Sequence, residues 1–121
     1  MKNCLVVDDS DVIRKVARRI LERMNFEITE AENGQQAIEQ CKARVPDVVL
    51  VDWMMPVMSG IEFLGALRLA KLDRKPLVLY CTTENDPADI TKAMSAGADD
   101  FILKPFDRQA IEAKLGSIGQ A

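Results

Sequence analysis

Four short apolar stretches of this 121-residue chain stop at residues able to do chemistry. Cys4 to Val7 runs into Asp8-Asp9, Val48 to Val51 into Asp52, Leu77 to Tyr80 into Cys81-Thr82-Thr83, and Phe101 to Leu103 into Lys104-Pro105. If these ends converge, Asp8, Asp9 and Asp52 form one acidic pocket whose charges repel until something neutralises them. A hard divalent cation on the carboxylate oxygens and the ammonium of Lys104 can both do so. Mg2+ prefers one or two carboxylates, water and a phosphate oxygen in octahedral geometry. That leaves a carboxylate able to accept a phosphoryl group. Taken singly, an acid such as Asp9 or Asp11 reads as a helix N-cap or a solvated turn. The joint pattern is what points to phosphate chemistry. The chain has no histidine, which removes the commonest general base and the usual zinc ligand.

The elements that must position these residues follow from periodicity. The apolar runs are short, aliphatic or β-branched, and read as buried parallel strands, while Phe26 to Ala31 alternates as a half-exposed edge strand does. Ile13, Val16, Ala17, Ile20, Leu21 and Met24 fit one face of a helix, with Arg14, Lys15, Arg18, Arg19 and Arg23 on a basic outer face. Further helices are expected after Asn33-Gly34, Ser59-Gly60, Asp86-Pro87 and Phe106-Asp107, each with a capping residue or an N-terminal proline. Strand and helix thus alternate five times. The expected fold is α/β: a doubly wound, five-stranded parallel sheet of (βα)5 flavodoxin-like type with strand order 2-1-3-4-5, a split α+β fold being the rival. That order sets the first and third strands side by side. Ligands in such sheets sit beyond the carboxyl ends, where strand order reverses.

Composition narrows the rest. With 48% hydrophobic and 29% charged residues and no linker or repeat, residues 1–121 read as one domain with its own core. A net charge of -3 offers no bulk attraction to nucleic acid or an anionic membrane. Cys4, Cys41 and Cys81 are an odd number without CxxC spacing, and read as reduced core thiols. The N-terminus shows neither a signal peptide nor a membrane span, so a soluble, cytoplasmic protein is expected.

The set Asp8-Asp9, Val51-Asp52-Trp53-Met54-Met55-Pro56, Thr82-Thr83 and Lys104-Pro105-Phe106 resembles the receiver domain of bacterial response regulators, over the whole chain and in its free-standing form without an effector domain. The resemblance implies that Asp52 is the phosphoacceptor and that Asp9, Asp8 through water, Asp52 and the Met54 carbonyl hold Mg2+. It implies that Lys104 grips a phosphoryl oxygen and that the Thr82 hydroxyl takes another, drawing its loop inward and making room for Phe101. Family members often carry Tyr where this chain has Phe101, which keeps the ring and loses the hydroxyl, so rotation can still bury it but no hydrogen bond reports it; permanent burial of that ring is the alternative. Met54 and Glu84 occupy positions that tune hydrolysis of the acyl phosphate, and a Met cannot orient water. Met54, Met55 and Met58 either fill core gaps or line an adaptable surface, with Met55 the core filler. A cis Lys104-Pro105 peptide is also implied.

The expected function is therefore two-component signal transduction, with a phosphoryl group taken from a histidine kinase or histidine phosphotransfer protein. The chain would act as a phosphoacceptor switch rather than an enzyme on an external substrate. Output is expected through phosphorylation-dependent binding of an unknown protein target at Ile90, Met94, Phe101 and Lys114, with a phosphate shuttle or sink as the alternative. The helix-one arginines, Arg14 and Arg18 among them, read as a solvated face or as the docking surface for the phosphoryl donor. Two readings of another class compete. Asp9-Ser10-Asp11 resembles the acid pair of haloacid-dehalogenase phosphatases, but position 13 is Ile and there is no room for a cap. A flavodoxin would need a hydroxyl- and glycine-rich loop where Asp8-Asp9-Ser10-Asp11 would repel the FMN phosphate.

Overall fold

The computed structural model describes residues 2–83 and 87–117. The elements follow one another as β1 (Lys2–Val7), α1 (Asp11–Arg23), β2 (Phe26–Ala31), α2 (Gly34–Ala43), β3 (Val48–Asp52), α3 (Gly60–Leu69), β4 (Leu77–Thr82), α4 (Pro87–Ala96), β5 (Asp100–Leu103) and α5 (Arg108–Ser117). All pairings are parallel, as the alternation of elements implies, and the sheet order is β2-β1-β3-β4-β5, the one expected of a flavodoxin-like fold.

Alternation along each buried strand divides the apolar residues between two cores. Leu5, Val7, Val49, Val51, Val78 and Tyr80 pack on one face with Ala37, Ile38 and Cys41 of α2, Phe63 and Leu64 of α3 and Ala93 of α4. Cys4, Val6, Val48, Leu50, Leu79 and Cys81 pack on the other with Ala17 and Leu21 of α1 and Ile111 and Leu115 of α5. Each fully buried aliphatic side chain contributes roughly 1.5–3 kcal/mol, so both faces are needed to hold the sheet. The three cysteines are free and buried in these cores, as expected. Burial pushes the thiol of Cys4 up to about 12 and that of Cys41 to about 11, which leaves them protonated and inert.

The caps Asn33, Ser59 and Asp107 stand where the sequence places them, whereas at α1 the cap is Ser10 rather than Asp9 or Asp11. Ser10 accepts from the Ile13 amide, Asn33 from Gln36, and Ser59 and Glu62 form a reciprocal capping box. Asp107 accepts from the Ala110 amide at 2.8 Å at the start of α5. Asp86, the expected cap of α4, lies outside the described residues.

Helix one departs from its expected pattern. Val16, assigned to the apolar stripe, is 41% exposed, and Arg14, assigned to the solvated face, is only 7% exposed. The buried stripe runs Arg14, Ala17, Leu21, in steps of three and four residues, so the helix is rotated from the one drawn through the apolar residues. Among the described residues no helix is long and apolar enough to cross a membrane.

Candidate functional site

The carboxyl ends of β1, β3, β4 and β5 lie side by side, because Val7 pairs with Val51, Asp52 with Cys81 and Thr82 with Leu103. Each run therefore delivers its terminal polar residue to one edge of the sheet. Oxygens of Asp8, Asp9 and Asp52 come within 4.8 Å of one another, with Asp8 and Asp52 buried and Asp9 exposed. Lys104 reaches in from the end of β5. Its Nζ lies 2.6 Å from Asp8 Oδ2 and 2.8 Å from Asp52 Oδ1. The Lys104 amide donates to the Thr82 carbonyl at 2.9 Å, which fixes the base of that side chain, and Thr82 itself is fully buried. The Lys104-Pro105 peptide is cis, as the resemblance implies.

The floor of the site is built without slack. The Gly60 amide, at the start of α3, donates to the Trp53 carbonyl at 3.1 Å, folding the loop after Asp52 back on itself. A Cβ on Gly60 would stand 2.6 Å from the Asp52 carbonyl oxygen and 2.9 Å from the Tyr80 ring. Only glycine fits there. Within that loop Met55 is buried, as expected of a core filler, and Met58 packs beside the core, whereas Met54 is 60% exposed at the rim.

Three carboxylates here face one ammonium. Burial raises the Asp52 carboxyl above the ordinary carboxylate range; Lys104 pulls it back, and the charges on Asp8 and Asp9 push it up again. Burial acts against the Lys104 ammonium, yet the two carboxylates outweigh it and hold its pKa above that of a free lysine. Asp52 Oδ1 meets Lys104 only as an ion pair, and among the described residues no donor is aligned on this buried oxygen. An oxygen-lined cluster with surplus negative charge suits a hard cation.

Other residues singled out in the sequence fall elsewhere. Phe101 is half-buried, with Lys114 Nζ 4.6 Å from its ring centroid, so these two are brought together. Ile90 and Met94 are one turn apart on α4, the first half-buried and the second 40% exposed. Glu84 lies outside the described residues.

The basic face of α1 needs correction. Arg14 Nη1 donates to the Asp8 carbonyl at 2.6 Å and its Nε to Glu30 Oε1 at 3.0 Å, while Nη2 pairs with Asp11. A side chain so enclosed cannot be part of a docking face. Arg18 is half-committed, to Glu30 at 2.8 Å and Glu22 at 3.4 Å. The exposed side of α1 carries Lys15, Arg19 and Arg23 with Val12, 68% exposed, and Val16. The signal lies in the spacing: residues 14, 17 and 21 share one helical stripe, and Ala17 and Leu21 belong to the apolar face. Tyr80 was also read only as strand. Its hydroxyl lies 3.4 Å from Asp89 Oδ2 of α4, a link between strand and helix that sequence spacing does not show.

Likeness to known proteins agrees with this geometry. Residues 4–116 match the response regulator receiver domain. The chain is 40% identical over 118 residues to the chemotaxis protein CheY of Halobacterium salinarum, covering 97% of this chain and 96% of that one. It is 33% identical to the phosphate regulon transcriptional regulatory protein PhoB of Escherichia coli, of whose length it spans about half, 51%. The solved chemotaxis response regulator CheY4 of Vibrio cholerae superimposes with a TM-score of 0.91 at 30% identity, covering 98% of each chain. With the same sheet order, and with its acids and lysine gathered at one edge, this chain belongs to the response regulator receiver domains of two-component signalling.

Proposed function

We propose that Asp52 is a phosphoacceptor that takes a phosphoryl group from the phosphohistidine of a histidine kinase or histidine phosphotransfer protein. An Asp52 carboxylate oxygen attacks phosphorus in line, the P–N bond breaks, and the imidazole leaves with its electron pair. The observation that carries this reading is Lys104, whose Nζ lies 2.6 Å from Asp8 and 2.8 Å from Asp52, placing a point charge where the equatorial phosphoryl oxygens would come. Raising of the Asp52 carboxyl by burial supports it, since a carboxylate poorly stabilised in the resting state gains when its charge is shared with phosphate.

Mg2+, bound by Asp8, Asp9, Asp52 and the Met54 carbonyl, would relieve the mutual repulsion of the acids and neutralise the transferring group. Lys104 then changes partner, from Asp52 to a phosphoryl oxygen. The hydroxyl of buried Thr82, at the end of the neighbouring strand, takes a second oxygen, and Phe101 moves toward the space this vacates. Phe101 has no hydroxyl to report its position, so the signal is the apolar surface it uncovers and the Lys114 contact it leaves. A partner that reads Ile90, Met94, Phe101 and Lys114 binds the phosphorylated form more tightly by that difference alone. The donor is received on the exposed side of α1, where Val12 and Val16 are flanked by Lys15 and Arg19.

Incubation with Mg2+ and a small acyl phosphate, followed by intact mass and peptide mapping, tests the reading. One phosphoryl group on Asp52 is expected, and labelling that persists in Asp52→Asn at a site other than Asp8 or Asp9 sinks it. Asp9→Ala should suppress labelling by weakening the cation site. Lys104→Ala should still bind the cation but lose the coupling to partner binding. Ile90→Asp should block the partner while leaving the labelling rate unchanged; if charge reversal at Lys15 and Arg19 blocked target binding instead, a shuttle working through α1 would be the better account.

A further inference from the structure

Among the acids of the site, Asp8 is the one with every polar group in use. Its amide donates to the Ala31 carbonyl at 3.1 Å, Oδ1 accepts from the Ser10 amide at 2.9 Å, and Oδ2 accepts from Lys104 at 2.6 Å. The remaining group, its carbonyl, accepts from Arg14 Nη1 at 2.6 Å in a fully buried bond. That carbonyl belongs to the peptide joining Asp8 to Asp9, so whatever holds it also sets the direction in which the Asp9 carboxylate leaves the chain.

Arg14 is itself held from three sides. Its Nε goes to Glu30 Oε1, Nη2 pairs with Asp11, and Glu32 lies 4.0 Å away. Glu30 is fixed in turn, because Oε2 accepts from Arg18 Nε at 2.8 Å and its carbonyl accepts from Gln40 Nε2 at 2.7 Å. One rigid network thus runs from α2 through β2 and α1 to the peptide of Asp8. Ion pairs of this kind, with Arg14 buried but Glu30 31% and Asp11 76% exposed, are a poor source of stability. A planar guanidinium with donors at fixed angles is instead suited to setting the plane of a peptide.

We propose that Arg14 is a positioning residue for the cation site: it locks the Asp8–Asp9 peptide so that the Asp8 and Asp9 carboxylates are aimed together before the ion arrives. The inference rests on the phosphoacceptor reading for its purpose, but its test needs no phosphoryl donor. Loss of the lock adds the ordering of that peptide to the work of binding the cation, and so weakens affinity without removing a ligand.

Trp53 is the single tryptophan and directly follows Asp52, so Mg2+ binding is followed by its emission with isothermal titration beside it. Arg14→Met keeps the apolar stem and removes the donors; its Mg2+ dissociation constant is expected to rise at least tenfold. Labelling by acyl phosphate should return to within about threefold of wild type at saturating Mg2+, whereas half-saturation moves with the dissociation constant. Arg14→Lys, with one donor in place of a fork, should fall between. Leu21→Ala, on the same buried stripe of α1, separates positioning from stability: it should lower the melting temperature and leave the Mg2+ constant unchanged. Should Arg14→Met fail to fold, Glu30→Gln removes the charge that orients Nε and is expected to weaken Mg2+ about threefold. A Mg2+ constant in Arg14→Met or Glu30→Gln no different from that of Leu21→Ala would overturn the assignment. A wild type that binds Mg2+ but takes no phosphoryl group would overturn the phosphoacceptor reading and leave the positioning role standing.

Discussion

Both ends of the sheet are lined with aspartates, and they are used in opposite ways. At the amino ends, Asp47 precedes β3 and Asp99 precedes β5, and each closes a reciprocal pair with a neighbouring strand. The Asn3 amide donates to Asp47 Oδ2 at 2.7 Å while the Asp47 amide donates to the Asn3 carbonyl at 2.9 Å. In the same manner the Val78 amide donates to Asp99 Oδ2 at 2.7 Å while the Asp99 amide donates back to the Val78 carbonyl at 2.8 Å. Arg74 adds an ion pair to Asp47 at 2.8 Å, and these contacts, the Asn3 amide first, hold its carboxyl below the usual range. At the carboxyl ends, Asp52 faces the carboxylates of Asp8 and Asp9 and the ammonium of Lys104, and burial pushes its carboxyl up. Asp47 and Asp99, which backbone amides satisfy, pin strands together; Asp52, which two other acids crowd, is the one a ligand can relieve.

The contrast breaks first, if it breaks at all, in labelling. Asp52→Asn should abolish transfer from an acyl phosphate, because an amide cannot form the acyl phosphate, while Asp47→Asn and Asp99→Asn should retain the wild-type rate within about twofold. Intact mass against time decides this, and a folded Asp47→Asn or Asp99→Asn protein that no longer accepts the group would erase the division between the two ends.

The next effect is on stability and lies within one helix. The first residue of α3 stands under the site and its middle does not. Gly60→Ala would drive a methyl to 2.6 Å from the Asp52 carbonyl oxygen, backbone that cannot swing away, and should cost about 2–3 kcal/mol. Gly65 has nothing within 4 Å of an added Cβ, so Gly65→Ala should stabilise by about 0.5–1 kcal/mol through helix propensity. Urea unfolding of the two variants gives both numbers, and equal effects would show that the site's floor is looser than its distances imply.

Much of this arrangement is legible in the amino-acid sequence. The convergence of Asp8, Asp9, Asp52, Thr82 and Lys104 on one edge follows from four apolar runs with polar ends, because parallel strands leave their termini on one side, and the order 2-1-3-4-5 expected of a flavodoxin-like sheet is the one observed. The rest depends on how a single element is rotated. Val16 is apolar and exposed, Arg14 charged and buried, and a template that ranks residues by hydrophobicity inverts them. An arginine enters a core only when carbonyls and carboxylates from other elements meet its donors; here these are Asp8, Glu30 and Asp11, and only the last lies on the same helix. The roles of Asp47 and Asp99 were equally hidden, since a strand-starting aspartate looks the same whether it bonds to backbone or to water.

The two ends should also respond to pH with opposite signs. The lowered carboxyl of Asp47 contributes stability that is present above its ordinary value, 3.8, and lost as pH falls through the lowered one. Asp47→Asn should therefore lose about 1 kcal/mol at neutral pH, a figure that allows for its partial exposure to solvent, and the loss should shrink in acid. The raised carboxyl of Asp52 does the reverse: its contribution is present below 3.8 and lost as pH rises through its folded value. Asp52→Asn should accordingly be the more stable protein at neutral pH, by about 1 kcal/mol or roughly 4 °C, with the advantage vanishing in acid. Thermal melts of both variants from pH 3 to 7 test the signs, and parallel curves would mean that the crowding of the three acids is relieved in solution.

The smallest effect concerns the rim of the functional end, where two exposed residues of the loop after Asp52 separate chemistry from backbone strain. Met54 is 60% exposed and stands two residues beyond Asp52; its thioether is at best a weak acceptor and cannot align water on phosphorus. Asn at this position offers both a donor and an acceptor, so phosphorylated Met54→Asn should lose its phosphoryl group a few-fold faster than wild type, a difference of about 1 kcal/mol or less in barrier. Val57 is 79% exposed, and its φ of 70° puts a β-branched residue in the left-handed region. Asn tolerates that region, so Val57→Asn should stabilise the fold by about 1 kcal/mol while leaving decay unchanged. Decay of the isolated phosphoproteins and their urea midpoints, read together, distinguish the two positions. Equal decay in Met54→Asn and wild type removes the role given to the thioether, and faster decay in Val57→Asn would mean that the loop's strain, not the side chain at position 54, sets its lifetime.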